Sequence, residues 1–200
     1  GYTGQEGILK GSDYKRVTAG FNINPSLLDK HLNLNINGKY SYSKTNPGGQ
    51  DAVGAAVSMD PTRPVKSSDE KFKNWGGYWQ WALPTTSYDP TFPYNRNDDA
   101  PTNPVEKVDN YNFHKSANIL LGNIEADYKI HGFEDLHLHA NLAGEYSDGG
   151  EYTRNNPKST YGYYYGGTTD NTEKKYNLVA TAYAQYTKDF NKANHFDITA

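Results

Sequence analysis

The feature that most constrains this chain is a strict alternation of apolar and polar residues over long stretches. In HLNLNINGKYSYSKT (31–45), the even positions from Leu32 to Tyr42 are apolar or aromatic except at Gly38, and the odd positions are polar. Successive side chains of a β-strand point to opposite faces, so the pattern predicts a strand with one apolar and one polar face.

The same alternation recurs along the chain and predicts six strands in all. Most of these stretches run for about eleven residues, the length that crosses a bilayer at a tilt of about 45°, whereas globular strands usually have about five or six residues. We therefore predict an all-β fold, an antiparallel transmembrane β-barrel segment. Six strands are too few to close a barrel, which needs about eight, so we expect a fragment of a larger one. The other five stretches are 17–24, 120–130, 136–146, 176–186 and 196–200.

Tyrosines lie near the ends of the apolar faces, where aromatic girdles meet the membrane–water boundary. The opposite faces carry Asn, Lys, His, Glu, Asp and Gln, which suits a water-filled or plugged lumen better than a packed core. We therefore expect the apolar faces to contact outer-membrane lipid. The tyrosines in question are Tyr40, Tyr42, Tyr128, Tyr146, Tyr176 and Tyr186.

The connections between the predicted strands alternate in length. Segments 24–31, 131–135 and 190–194 are short, segments 45–110 and 147–175 are long and rich in Gly, Pro, Asn and aromatic residues, and segment 3–13 is intermediate. Outer-membrane barrels have short periplasmic turns and long extracellular loops. The alternation therefore predicts that 45–110 and 147–175 are extracellular loops.

Composition excludes several function classes. The chain has no cysteine, so disulfides, thiolate metal sites and cysteine nucleophiles are excluded. A net charge of −3 without a basic run gives no reason to expect nucleic acid. No stretch approaches the roughly 18 apolar residues of a transmembrane helix. The N-terminus has no apolar core of the length a signal peptide needs, so we expect the chain to begin inside its parent protein.

The H-x-H sequence of His137 and His139 raises the question of a metal site. Two imidazoles on one strand face supply only two ligands, and the others must come from elsewhere. We interpret the pair as part of a plain polar face and predict no metal. Carboxylates on that face, such as Glu125 and Glu145, are scattered along strands, and no catalytic motif is present. We therefore predict no enzyme and no cofactor.

Two aromatic clusters are candidate ligand sites. All three tryptophans, Trp75, Trp79 and Trp81, lie within seven residues of the first long loop. Aromatic faces stack on sugar rings and peptide side chains, and neighbouring Asn and Asp can hydrogen-bond hydroxyl groups. The alternative is that the rings pack the loop against itself, the barrel rim or a partner. The predicted ligand-binding residues of the first cluster are Trp75, Tyr78, Trp79 and Trp81, and Tyr88 and Tyr94 follow them in the same loop. Those of the second cluster, in the second long loop, are Tyr163 and Tyr164.

The order of these segments resembles the barrel region of SusC/RagA-type TonB-dependent outer-membrane transporters of Bacteroidetes. The resemblance runs from GYTGQEGILKGSDYKR through FNINPSLLDKHLNLNINGKYSYSKT, the loop helix of DAVGAAVSMDPTRPV, and NPVEK. It continues through ILLGNIEADYKI, DLHLHANLAGEYSDG and AYAQYTKDF to HFDITA, so it covers essentially the whole chain.

The resemblance implies that residues 1–200 are a partial barrel domain of a TonB-dependent receptor, without plug or signal peptide. The parent would be a 22-stranded barrel with an N-terminal plug. It would import glycans or peptides across the cell outer membrane, with energy from the TonB complex and a SusD-like surface lipoprotein as a lid. The sequence does not choose between glycan and peptide.

A second hypothesis is a soluble β-sandwich that binds carbohydrate through Trp79 and Trp81. A sandwich needs two facing apolar layers of short strands, and its loops show no sidedness. Strand length and loop alternation therefore favour the barrel segment.

Overall fold

The computed structural model describes residues 1–85, 90–191 and 194–200. Tyr88 and part of the predicted turn 190–194 lie outside this description. The prediction of an all-β antiparallel fold is confirmed. The main sheet contains β1 (Tyr2–Glu6), β2 (Asp13–Ile23), β3 (Ser26–Leu27), β4 (Leu32–Asn46), β7 (Phe113–Ile130), β8 (Phe133–Asn155), β9 (Gly167–Asn191) and β10 (Asn194–Thr199).

The main sheet is an antiparallel meander in which neighbours in sequence pair in space. Its order is β1-β2-β4-β7-β8-β9-β10, and the short β3 pairs with β4. All six predicted strands are present, and β7, β8 and β9 reach 18, 23 and 25 residues. Segment 3–13, expected to be a connection, instead contributes most of β1, which pairs with β2 from Tyr2 opposite Val17 to Glu6 opposite Asp13.

The strand register places the predicted apolar residues on one continuous face. Ile36 lies opposite Ile23 on one side and Ile124 on the other, and the same row continues through Leu142 to Ala180. Directly opposed residues in an antiparallel pair share a face. The face is not covered by any described part of the chain, and many of its large side chains, such as Leu178 at 75%, are exposed.

The main sheet has no second layer packed on it among residues 1–85, 90–191 and 194–200. The buried apolar side chains lie in the connections instead, at Ala52, Ala55, Phe72, Trp75, Tyr78 and Phe92. A sandwich requires two sheets facing each other across a shared core. The alternative of a soluble β-sandwich is therefore wrong. Among the described helices, the longest has eight residues and none could cross a membrane.

The two long connections differ from each other. Segment 147–175 was expected to be a loop, but β8 continues to Asn155 and β9 begins at Gly167, so only residues 156–166 leave the sheet. The prediction failed because alternating Gly, Thr, Tyr and charged residues extend the hairpin without an apolar face. Backbone pairing holds these strands together, and Lys115 adds an ion pair to Glu151.

Segment 45–110 is largely outside the main sheet, as predicted. β4 takes its first two residues and ends at Asn46, and β7 begins at Phe113. Between them the chain forms its own small elements. These are α1 (Asp51–Ser58), a 3-10 helix (Glu70–Trp75), the β5–β6 hairpin (Ala82–Pro84 and Tyr94–Arg96) and α2 (Pro104–Asp109).

Candidate ligand-binding site

The described residues of 47–112, together with the hairpin tip 156–166, form a compact unit that we call the loop domain. Its core contains Phe72 and Trp75 of the 3-10 helix, with Phe92 and Tyr78 beside them. The 3-10 helix begins where the Asp69 side chain accepts a hydrogen bond from the Lys71 amide. It ends at Gly76, whose φ of 63° is a left-handed conformation that favours glycine.

Asn103 organises this domain from the start of α2. Its Oδ1 accepts hydrogen bonds from the amides of Val105 and Glu106, as an N-cap residue does. Its Nδ2 donates to the carbonyls of Val65 (2.8 Å) and Trp79 (3.2 Å). Asn103 is 2% exposed, so these bonds are shielded from water. The sequence carried a signal for this role, because Asn followed by Pro marks a helix start, but it gave no sign of the tertiary bonds.

Glu106 fixes the hairpin tip to α2. This carboxylate is fully buried, and its oxygens accept hydrogen bonds from the Thr160 amide (3.0 Å) and hydroxyl (2.5 Å). Asn110 Nδ2 donates a third bond of 3.0 Å to it. A buried carboxylate is tolerated when it is fully hydrogen-bonded. The tip is therefore held in one position relative to the rest of the loop domain.

Asp51 and Tyr161 make a second connection between the tip and the helices. The Tyr161 hydroxyl donates to Asp51 Oδ1 at 2.8 Å, and Lys107 Nζ pairs with Asp51 Oδ2 and lies 4.9 Å from the Tyr161 ring centroid. Burial acts to raise the pKa of Asp51, but the hydrogen bonds from Lys107 and Tyr161 outweigh it and hold that pKa below its usual value. Burial and the Asp51 carboxylate raise the pKa of Tyr161 far above its usual value.

A cavity of about 530 Å³ lies between the β5–β6 hairpin and the tip. Tyr163 stacks on Trp75 at a centroid distance of 4.9 Å and donates its hydroxyl to the Tyr94 carbonyl. Burial raises the pKa of Tyr163 to about 12. Polar groups lie around these rings. The lining comprises Trp75, Leu83, Pro84, Thr85, Asn95, Arg96, Asn97, Asp98, Thr160, Tyr163 and Tyr164.

Tyr164 holds an unusual backbone conformation at this cavity. Its φ is 86°, a region that bulky residues other than glycine rarely adopt. The hydroxyl of Tyr164 donates to Asn95 Oδ1, and its ring meets Phe92 edge-on at 4.9 Å. Such backbone outliers persist where surrounding contacts fix them, and they cluster at functional sites. The contacts aim this aromatic ring at the cavity.

Trp79 and Trp81 form a separate aromatic pair. Their rings meet edge-to-face at 4.9 Å, and the Arg63 guanidinium carbon lies 5.3 Å and 5.0 Å from the two centroids. Asp60 Oδ2 orients Arg63 through a 3.1 Å bond to Nε. Both tryptophans are half-buried. The Arg63 guanidinium therefore makes a cation–π interaction with each of the two rings.

The six predicted residues therefore do not form one site. Trp75 and Tyr78 are buried in the loop-domain core, Trp79 and Trp81 lie under Arg63, and Tyr163 and Tyr164 line the cavity. Trp75 belongs to the cavity lining, but its side chain has no solvent-exposed surface. The sequence pointed to Asn and Asp near the tryptophans only as a class, and it missed Arg63 and Arg96.

Comparisons with known proteins give one informative relative. No family model matches the chain. The chain is 40% identical over 200 residues to the TonB-dependent receptor SusC of Bacteroides thetaiotaomicron. The match covers 99% of this chain and 20% of that protein, so the chain spans about a fifth of the length of its curated relative. The resemblance noted from the sequence is confirmed.

Proposed function

We propose that this chain, a SusC/RagA-like segment of a TonB-dependent receptor, builds part of the barrel wall and the extracellular ligand-facing surface of an outer-membrane importer. The observation that carries the proposal is the single antiparallel sheet of long strands with one uncovered apolar face and one polar face. Water is a poor solvent for such a face, and bilayer lipid is a suitable one.

The loop domain is the ligand-facing part of this proposal. It lies at one end of the main sheet, at the end where β4 leaves and β7 enters. It corresponds to the predicted extracellular loops 45–110 and 147–175, with the second reduced to the tip 156–166. The hydrogen bonds that Asn103 makes and that Glu106 accepts support a preformed surface, because ordering a loop on binding costs affinity.

The chemistry of the cavity favours a glycan over a peptide as the imported substrate. Tyr163 and Tyr164 offer aromatic surface, and Asn97, Arg96 and Asp98 offer amide, guanidinium and carboxylate groups for hydroxyls. The cavity lining combines these polar groups with few aliphatic side chains of the kind that accept peptide side chains. A SusD-like surface lipoprotein would cover this surface, the TonB complex would act through a plug in the parent protein, and the exposed Leu83 offers apolar contact area for the lid.

Binding measurements on the intact receptor with its lipoprotein test this proposal. Calorimetric titration with a panel of oligosaccharides and oligopeptides compares the wild type with Tyr164→Ala. Loss of one aromatic contact is worth about 0.5–1.5 kcal/mol, so we expect the affinity for the bound oligosaccharide to fall about two- to twelvefold.

A matched control is Tyr165→Ala. Tyr165 is the neighbouring residue, is 76% exposed and does not line the cavity. We expect this variant to bind like the wild type. Equal affinities in both variants would place the binding site elsewhere, and tight binding of peptides but not of glycans would overturn the choice of substrate.

A further inference from the structure

We propose that Asp127, His137 and His139 form a binding site for a divalent transition-metal ion such as Zn²⁺ on the polar face of the main sheet. His137 and His139 are two residues apart on β8, so both imidazoles project from the same face. Asp127 of β7 lies directly opposite His139 in the strand register. The sequence alone showed two possible ligands, and strand pairing supplies the third.

The distances between the three side chains suit a shared ion. Asp127 Oδ1 lies 3.2 Å from His137 Nδ1, and Asp127 Oδ2 lies 2.9 Å from His139 Nδ1. One ligand atom from each residue lies within 4.8 Å of the others. Ligands at the usual Zn–N and Zn–O distances of about 2.1 Å in tetrahedral geometry are separated by about 3.4 Å. Small side-chain rotations therefore bring all three ligands to one ion.

The site is partly enclosed. The Tyr183 ring stacks on His139 with centroids 4.5 Å apart, and the side chain of His139 is 16% exposed. His139 Nε2 and Asn141 Oδ1 are buried and have no hydrogen-bond partner within the described residues. Unpaired buried polar atoms cost about 1–3 kcal/mol each. Because His139 Nδ1 faces Asp127, an ion would bind Nδ1 and leave Nε2 of the same ring to a water molecule.

The ligand set selects the class of metal. Two imidazole nitrogens and one carboxylate oxygen suit Zn²⁺, Cu²⁺ or Ni²⁺, whereas Ca²⁺ and Mg²⁺ prefer all-oxygen sites. Three protein ligands leave at least one coordination position open to water or another ligand. A bound ion would also join β7 to β8 by side chains, in addition to their backbone hydrogen bonds.

The competing interpretation is a hydrogen-bonded polar cluster without affinity for metal. His137 Nδ1 is within hydrogen-bond distance of both oxygens of Asp127, at 3.2 Å and 3.4 Å. Lys129 lies opposite His137 in the register and adds a positive charge near the site. The two interpretations share the same contacts and differ in one measurable property, the binding of metal.

Metal titration of the intact receptor, purified without a histidine tag, separates them. Bound zinc is measured by elemental analysis after equilibrium dialysis against defined free Zn²⁺, and Co²⁺ is titrated in parallel by its visible absorption. We expect one equivalent to be lost, or bound at least tenfold more weakly, in Asp127→Asn and His139→Gln, because even indirect partners of a metal ligand change affinity by about 10–100-fold.

Two further variants guard against misfolding and against other histidines. His139→Cys keeps a metal ligand, so it should retain the ion and add a thiolate-to-cobalt absorption band. His31→Gln alters the other histidine pair at this end of the sheet, where His31 stacks on His131 at 3.8 Å, and should leave binding unchanged. Equal zinc content in wild type, Asp127→Asn and His139→Gln, all correctly assembled, would overturn the proposal.

Discussion

Glu106 and Thr160 are 54 residues apart in sequence, yet the buried Glu106 carboxylate accepts hydrogen bonds from both the amide and the hydroxyl of Thr160. This contact joins the first long connection of the chain to the tip of the β8–β9 hairpin. The cavity lies between these two parts, because its lining takes residues from β5, β6 and the tip. The shape of the cavity therefore depends on a carboxylate outside its lining.

Replacing Glu106 with Ala should release the tip. The change leaves the Thr160 amide and hydroxyl and the Asn110 amide without their acceptor, and hydrogen bonds to charged groups contribute about 1.5–3 kcal/mol each. We expect the loop domain to lose about 3 kcal/mol or more in stability and the tip 156–166 to become sensitive to protease in the intact receptor. Glu70→Ala is the control, because the Glu70 side chain is 87% exposed, and it should change stability by less than about 0.5 kcal/mol. Equal protease resistance of both variants would contradict the role of Glu106.

Two glycines in the loop domain should respond to alanine in opposite directions. A Cβ at Gly49 would lie 2.7 Å from the Lys107 carbonyl oxygen, which is backbone and cannot rotate away. We expect Gly49→Ala to destabilise the packing of α1 on α2 by about 1–3 kcal/mol. A Cβ at Gly54, within α1, meets nothing within 4 Å, so Gly54→Ala should stabilise by about 0.5–1 kcal/mol.

Thermal unfolding of the intact receptor followed by tryptophan fluorescence measures both glycine variants, since all three tryptophans of this chain lie in the loop domain. Tryptophans elsewhere in the parent protein contribute equally to both variants. The difference between the two unfolding curves therefore reports on the loop domain. A fall in Tm for Gly54→Ala, or no change for Gly49→Ala, would show that α1 does not lie against α2 as described.

The stability of the loop domain should depend on alkaline pH through Tyr78. Burial and the hydrogen bond to Asp109 raise the pKa of Tyr78 to about 12, against about 10 in an unfolded chain. A group whose pKa is raised by folding contributes stability that is complete below the unfolded pKa and is lost as pH rises through the folded pKa. We therefore expect loss of stability between about pH 10 and about pH 12.

The check is a spectrophotometric titration of tyrosinate at alkaline pH, taken as the difference between wild type and Tyr78→Phe. The difference should show one tyrosine that ionises near pH 12 in the folded receptor. A residue that titrates near pH 10, the value of a free tyrosine, would show that the Tyr78 hydroxyl is exposed rather than bonded to Asp109.

The sheet was predictable from the sequence, and the loop domain largely was not. Alternation with a period of two is a local property, so it assigned Leu142 and Ile124 to one face before any strand pairing was known. The bonds of Glu106 and Asn103 join residues far apart in sequence, and no local pattern reveals them. Trp75 was predicted to contact ligand because tryptophan favours binding sites, but the same large ring also makes the best core residue of a small domain.

The candidate metal ligands could be identified from the sequence only in part. H-x-H on β8 was visible in the sequence, but the third ligand, Asp127, became identifiable only once the register of β7 against β8 placed it opposite His139. Register fixes which polar side chains meet, and the sequence pattern fixes only the face on which they lie.

The two faces of β9 should respond differently to charge. Ala182 lies in the apolar row, opposite Ala140, and the adjacent Thr181 lies in the polar row, opposite Asn141. A lysine on the lipid face near the middle of a bilayer costs about 2–4 kcal/mol. We therefore expect Ala182→Lys to reduce assembly in the outer membrane, measured by heat-modifiable electrophoretic migration, and Thr181→Lys to assemble like the wild type. Because the two positions are neighbours on one strand and differ only in face, equal tolerance of both lysines would rule out a lipid-facing apolar surface.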